Sequence, residues 1–304
     1  MTHPHYVVGA YASMPASRAQ QEDYYALLGA QSWIDGAELP WPGDLADADA
    51  RAWLAAQLPA HWHHCSVTLI PGTMRRVGDD DSFGLASPQE GGRAAAMRML
   101  AEARDAIAAL ADLRGSADVS LVQIHTAPTA RADADAMRRS LDELLGWDWS
   151  GAHIAIEHCD RYIPGQLPEK GFLPIEDEIA LCRTTGAGLV VNWGRSCLEG
   201  HDPALPERHV RLAAEAGVLL GLMFSGSGPE PSPYGGAWAD GHLPMVPDEP
   251  TSLMTAEHIC ACVAAAGAPE RVGAKVCVPT DATLDERLAC LAHIHDAVSL
   301  TEAV

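Results

Sequence analysis

The sequence predicts a (β/α)8 TIM barrel, one domain spanning residues 1–304 with long loops after strands 3, 5 and 7. Three observations predict it. Eight short β-rich apolar runs alternate with Ala-rich helical runs, and that alternation belongs to α/β folds with parallel strands. The length of 304 residues suits one such barrel with generous loops. A doubly wound dinucleotide-binding sheet would carry G-x-G-x-x-G after its first strand, and Gly9-Ala10-Tyr11-Ala12 does not supply it.

The expected strands are 6–12, 33–39, 66–70, 119–126, 152–158, 188–193, 218–224 and 272–278. Their Val, Ile and Leu content fits strands buried on both faces. The expected helices are 17–29, 46–57, 90–113, 131–145, 175–185, 204–216, 253–266 and 283–298. Pro203 and Pro206 open the sixth, where a missing N–H costs least. Asp133 or Thr129 can cap the fourth, and a residue of 280–283 the eighth. Ser87 with Glu90 three residues on reads as a capping box for the third. The Gly/Pro-rich stretch 225–250 is too late for a domain boundary and reads as an active-site lid loop after strand 7.

Charge and composition remove several function classes. Lys+Arg 20 against Asp+Glu 41 gives a net charge of −21. A nucleic-acid binder needs a basic stripe to neutralise phosphates, and none is visible. No run approaches the roughly 20 apolar residues of a membrane span. The start, Met1-Thr2-His3-Pro4-His5, has no basic stretch leading into an apolar one, and the eight Cys form no C-x-x-C pair. The expectation is a cytoplasmic protein with reduced thiols, a small-molecule substrate and scope for homo-oligomerisation.

Sorting each strand by parity locates candidate chemistry. In strand 5, Ile154 and Ile156 face the helices, so Glu157 faces the barrel interior. The same rule turns His125, Asn192 and Lys275 inward, and Glu38 with Gly36 on strand 2. Barrel interiors are ordinarily filled by Val, Ile and Leu, and active sites lie at the C-terminal ends of the strands. Charges buried without partners cost several kcal/mol each, so this many polar inner positions marks either a satisfied internal network or a site. Glu157, Lys275, His125 and Glu38 are the catalytic candidates, joined by His242 of the lid.

The loops beyond the strands add binding candidates. Arg161, Lys170 and Arg195 can grip an anionic substituent. Trp193 and Trp238 offer flat faces for a sugar ring, Asn192 a polar contact, and Asp240 can orient His242. The loop after strand 3 carries Arg75-Arg76 and then Asp79-Asp80-Asp81. Four other clusters look metal-like but read as structural. His61-Trp62-His63-His64-Cys65 and His3-x-His5 precede strands, on the stability face, and Cys260-x-Cys262 and His293-x-His295 diverge on helices.

The Glu38 segment Ala37-Glu38-Leu39-Pro40, Ile156-Glu157-His158 closing strand 5, and Gly91-Gly92-Arg93 opening a long helix resemble the xylose-isomerase-like barrel superfamily. That superfamily holds sugar isomerases, sugar epimerases and endonuclease-IV-type repair enzymes. The resemblance spans nearly the whole chain and is to a bacterial branch sharing these strand-end patterns. It implies a divalent metal held by Glu, Asp, His and Glu from strands 5 to 8. Only Glu157 matches; the other positions read Asn192, Met223-Phe224 and Lys275 or Cys277. A Lys repels a hard cation that wants anionic oxygen. No complete ligand set is therefore expected, and Glu157 with His242 would serve if a divalent metal binds.

Two mechanisms without metal follow, and the superfamily's sugars point to a small polar carbohydrate or keto-sugar. One is isomerisation or epimerisation, with Glu157 or Glu38 taking a proton beside a carbonyl and Lys275 or His125 stabilising the enediolate. The other is aldolase- or lyase-type Schiff-base chemistry on Lys275. The non-catalytic alternative is a sugar-binding or partner subunit.

Overall fold

The computed structural model describes residues 3–300, so Met1 and Thr2 of the N-terminal reading and residues 301–304 lie outside it. The strands are β1 (His5–Val8), β2 (Gly36–Pro40), β3 (Cys65–Thr68), β4 (Val119–Ile124), β5 (His153–His158), β6 (Gly188–Asn192), β7 (Leu219–Phe224) and β8 (Arg271–Ala274). They close into a barrel in chain order, with neighbours paired in parallel. The expected (β/α)8 architecture is present, each of the eight expected strands overlapping an observed one.

Among the described residues the α-helices are α1 (Arg18–Gly29), α2 (Ala48–Gln57), α3 (Ile70–Asp79), α4 (Glu90–Arg114), α5 (Ala134–Leu144) and α6 (Ile175–Thr185). They continue with α7 (Trp193–Gly200), α8 (Leu205–Glu215), α9 (Ala256–Ala266) and α10 (Leu284–Ser299). Local chemistry sets their starts. Asp133 accepts from the Ala136 N–H at 2.7 Å and caps α5, while Thr129 donates instead to the Lys170 carbonyl. Thr283 and Glu286 form a complete capping box on α10.

Four expectations need correction. The N-cap of α4 is Gln89, with no side-chain bond; Ser87 Oγ accepts from the Gln89 N–H two residues on, a tight turn in place of the capping box. The first turn of α4 packs tightly on this segment, since a Cβ at Gly92 would lie 2.0 Å from the Ser82 carbonyl oxygen and 2.8 Å from Ser87 Oγ. Ile70 and Trp193 are helical, not strand ends: β3 and β6 run almost directly into α3, which takes Pro71 in its first turn, and α7, which Asn192 caps. β1 stops at Val8 because residues 10–13 form a 3-10 turn. β8 stops at Ala274, so Lys275 and Cys277 stand beyond the strand, not on it.

The chain forms two compact units, one running up to Ala37 and resuming at Val191, the other Glu38–Val190. In the second unit β3, β4 and β5 pair in register, with Thr68 opposite Gln123 and Gln123 opposite Ala155. Its helix-facing residues Val122, Ile124, Ile154 and Ile156 are buried, as are the inward Glu38, Ser66, Thr68 and Gln123. In the first unit, Arg287 of α10 donates to the carbonyls of Ser13, Thr280 and Ala282, which ties the start of α10 to the segment after β1.

Candidate active site

In the Glu38–Val190 unit the register fixes the site. The pairing of Ile124 with Ile156 is followed, one residue on, by His125 and Glu157, both inward by parity. Their side chains meet: His125 Nε2 lies 2.9 Å from Glu157 Oε2. Thr68, at the end of β3, donates its hydroxyl to the same oxygen at 3.3 Å. All three residues are buried. Two neighbours thus orient the Glu157 carboxylate through Oε2. Glu38 is buried too, but the register pairs it with Ser66, two residues earlier on β3 than Thr68.

The residues next to this pair point the other way and are clamped from behind. Thr126 donates to Glu178 Oε1 at 2.7 Å, and His158 Nδ1 lies 2.7 Å from Glu178 Oε2. Thr126 also accepts from the Leu173 N–H. One carboxylate from the first turn of α6 thus ties the segments after β4 and at the end of β5 together, and so fixes His125 against Glu157. Sequence reasoning did not find Thr126, His158 or Glu178. The available signal was the acidic first turn of α6, Glu176-Asp177-Glu178, after Pro174. Beyond β5, Asp160 accepts from the backbone N–H groups of Glu169, Lys170 and Gly171 and closes the loop. Lys170 is buried, with Nζ 3.9 Å from a Glu169 carboxylate oxygen, and Arg161 is exposed.

The other unit holds Lys275, which is fully buried. Its backbone N–H donates to the Phe224 carbonyl at 2.8 Å, extending the β7–β8 pairing by one bond. Its aliphatic stem lies on Gly9, where a Cβ would come within 2.6 Å of Lys275 Cβ and Cγ. Nζ stands 5.8 Å from the centre of the Tyr11 ring. Gly9, which supplies no nucleotide motif, is therefore a seat for the lysine.

Residues of the loop after β7 form a chain of contacts with Arg195 in the same unit. Arg195 Nε donates to Asp240 Oδ2 at 3.2 Å, Asp240 Oδ1 is 3.4 Å from His242 Nδ1, and His242 Nδ1 is 2.7 Å from Ser225 Oγ. The His242 carbonyl accepts from the Cys277 N–H at 2.7 Å. His242 and Trp238 both adopt positive φ, 49° and 57°, a conformation that needs support from surrounding contacts. Trp238 receives it by stacking on His201, with ring centres 4.3 Å apart. Trp193 presents no open face: it is buried, 6.0 Å from the His258 ring. Asn192 spends its side chain accepting the Arg195 N–H. Burial pushes the Cys277 thiol up, with Asp240 adding and Lys275 opposing, so this thiol stays protonated at neutral pH.

The metal-like sequence clusters resolve into structural contacts. His63 Nδ1 lies 2.7 Å from the buried Asp118, which Arg114 and Ser116 also bind. His293 pairs with Asp248, and His295 stacks on Trp33. Cys260 donates to the Ala297 carbonyl. The metal set implied for strands 5 to 8 does not fit either. Glu157 is engaged by His125 and Thr68, Asn192 is a helix cap, Met223 and Phe224 end β7, and Lys275 follows β8. No step is derived through a metal.

The chain matches the family model described as "Domain of unknown function (DUF4862)" over residues 7–290, and it belongs to that family. It is 35% identical over 274 residues to a protein of Salmonella typhimurium strain LT2, "Uncharacterized protein STM3670", covering 87% of this chain and 86% of that one. In structure it resembles a D-tagatose 3-epimerase-like protein, with TM-score 0.65, 12% identity, and 99% and 98% of the two chains covered. It also resembles a xylose isomerase domain protein from Alicyclobacillus acidocaldarius, with TM-score 0.58, 13% identity, and 98% and 99% covered. These likenesses show the fold, a (β/α)8 TIM barrel over nearly the whole chain. Among the described residues no helix is long and apolar enough to cross a membrane.

Proposed function

We propose that the protein is a sugar isomerase or epimerase acting on a small polar carbohydrate or keto-sugar by acid–base catalysis. The observation that carries this reading is the buried His125–Glu157 pair, braced by Thr68, at the C-terminal ends of three adjacent strands. Glu157 takes the proton from the carbon beside the substrate carbonyl. The carbonyl oxygen becomes an enediolate oxygen, which His125 stabilises by a hydrogen bond. Return of the proton to the former carbonyl carbon, with the neighbouring hydroxyl proton passing to the former carbonyl oxygen, gives isomerisation; protonation of the original carbon on its opposite face gives epimerisation. General acid–base catalysis of this kind contributes about 10²–10⁴-fold, and a dry site strengthens the hydrogen bond to the developing oxyanion. The sugar-epimerase name of a structural neighbour supports the substrate class. Arg161 and Lys170, of the same unit as Glu157, are proposed to receive an anionic substituent where the sugar carries one.

A second reading rests on Lys275, a lysine with no exposed surface seated on Gly9. Its neutral amine adds to a substrate carbonyl and, with loss of water, forms an iminium that supports carbon–carbon cleavage. The two readings separate by experiment. Solvent deuterium appearing at the carbon beside the carbonyl, abolished by Glu157→Gln, supports the first. A borohydride-trapped adduct on Lys275 supports the second. Bound sugar with neither outcome supports a binding role.

A further inference from the structure

The arginines after the third strand have no part in the chemistry above. Arg75 and Arg76 stand on α3 and Arg98 on α4, along a groove with chambers of about 250 and 180 Å³. Arg76, Asp79, Met99 and Glu102 line both chambers, which are therefore adjacent. Together the chambers fall in the range of roughly 300–1,000 Å³ usual for small-molecule sites. Buried Trp41 and Met99 form the floor. Gly72 lets α3 sit down on it, since a Cβ there would come within 2.9 Å of Trp41 Cδ1.

Among the described residues none of Arg75, Arg76 and Arg98 has an ion-pair or hydrogen-bond partner for its guanidinium. This is unusual company for a chain with Asp+Glu 41 against Lys+Arg 20. On α4 Arg93 binds Glu90 and Glu143 and Arg114 binds Asp118, and elsewhere Arg138 and Arg208 each hold a carboxylate. Asp79 and Glu102 line both chambers, and Asp80 lines the smaller one. They accept hydroxyl hydrogen bonds but repel a second negative charge, which selects a ligand with one oxyanion and several hydroxyls over a polyanion.

We propose that the α3–α4 groove binds the oxyanion, phosphate or carboxylate, of a small hydroxylated molecule. The test is isothermal titration calorimetry of the full chain with glucose 6-phosphate, gluconate and glucose as probes. The expected result is saturable binding of one or both anionic probes and none of glucose; which anion binds distinguishes phosphate from carboxylate. The triple variant Arg75→Gln, Arg76→Gln, Arg98→Gln should weaken that binding at least tenfold with an unchanged melting temperature, because all three side chains are exposed. The triple variant should leave solvent-deuterium incorporation into sugars unchanged, which separates the groove from the barrel site. Absence of saturable anion binding, or binding that survives the triple variant, overturns the proposal.

Discussion

Glu178 is the residue whose removal most sharply probes how the site is held. Its two carboxylate oxygens bind Thr126 and His158 at 2.7 Å each, and all three residues are fully buried. Glu178→Ala removes one partner of each contact inside a dry core. A buried group stripped of its hydrogen bond costs about 1–3 kcal/mol, and breaking a buried charged pair about 3–5 kcal/mol. We therefore expect a loss of roughly 3–5 kcal/mol. With about 2.1 cal/mol/K of unfolding entropy per residue, that lowers the melting temperature of a 304-residue chain by roughly 5–8 °C. Glu178→Gln keeps the volume and an acceptor for Thr126, and should cost less than half as much. Thermal unfolding followed by circular dichroism measures both variants. Nitrogen shifts of the His125 ring report whether its bond to Glu157 survives in the folded protein. An Ala variant melting within about 1 °C of the parent would refute the clamp.

Other consequences follow from the same geometry. Gly9→Ala drives a Cβ to 2.6 Å from the Lys275 stem and should cost about 1–3 kcal/mol as overpacking; adding Lys275→Ala should recover part of the loss, and additive losses would contradict the contact. Burial works to raise the Asp118 carboxyl, but hydrogen bonds from Arg114, His63 and Ser116 outweigh it and hold the group below its ordinary range. Its contribution is therefore complete above the ordinary carboxylate range and lost as pH falls through the depressed value. Asp118→Asn should lower stability at neutral pH and flatten the acid limb of a stability–pH curve, and an unchanged limb would show the network to be idle. Borohydride trapping with keto-sugars should mark Lys275 and spare Lys170, the other lysine of the chain, if the Schiff-base reading holds; peptide mass spectrometry reads the outcome.

The fold was legible because its signals are local and repeated. Strands covered on both faces read as apolar runs, and the turns between them carry caps such as Asp133 and Thr283. Parity alone turned His125 and Glu157 inward, and they touch. What escaped was encoded elsewhere. Helices α3 and α7 follow strands with hardly any polar break, so their first residues, Ile70 and Trp193, read as strand. The Glu178 clamp joins residues 20 and 52 positions away, a pairing that no local pattern announces. Trp193 looked like a ring-stacking surface because residue type does not report burial.

Solvent deuterium incorporation is the measurement closest to the central claim. The protein is incubated in D2O with a panel of aldoses and ketoses, and the carbon beside the carbonyl is examined by NMR. The account predicts deuterium at that carbon for at least one sugar, with loss of incorporation but retained sugar binding in Glu157→Gln. Incorporation at an undiminished rate in Glu157→Gln would contradict it.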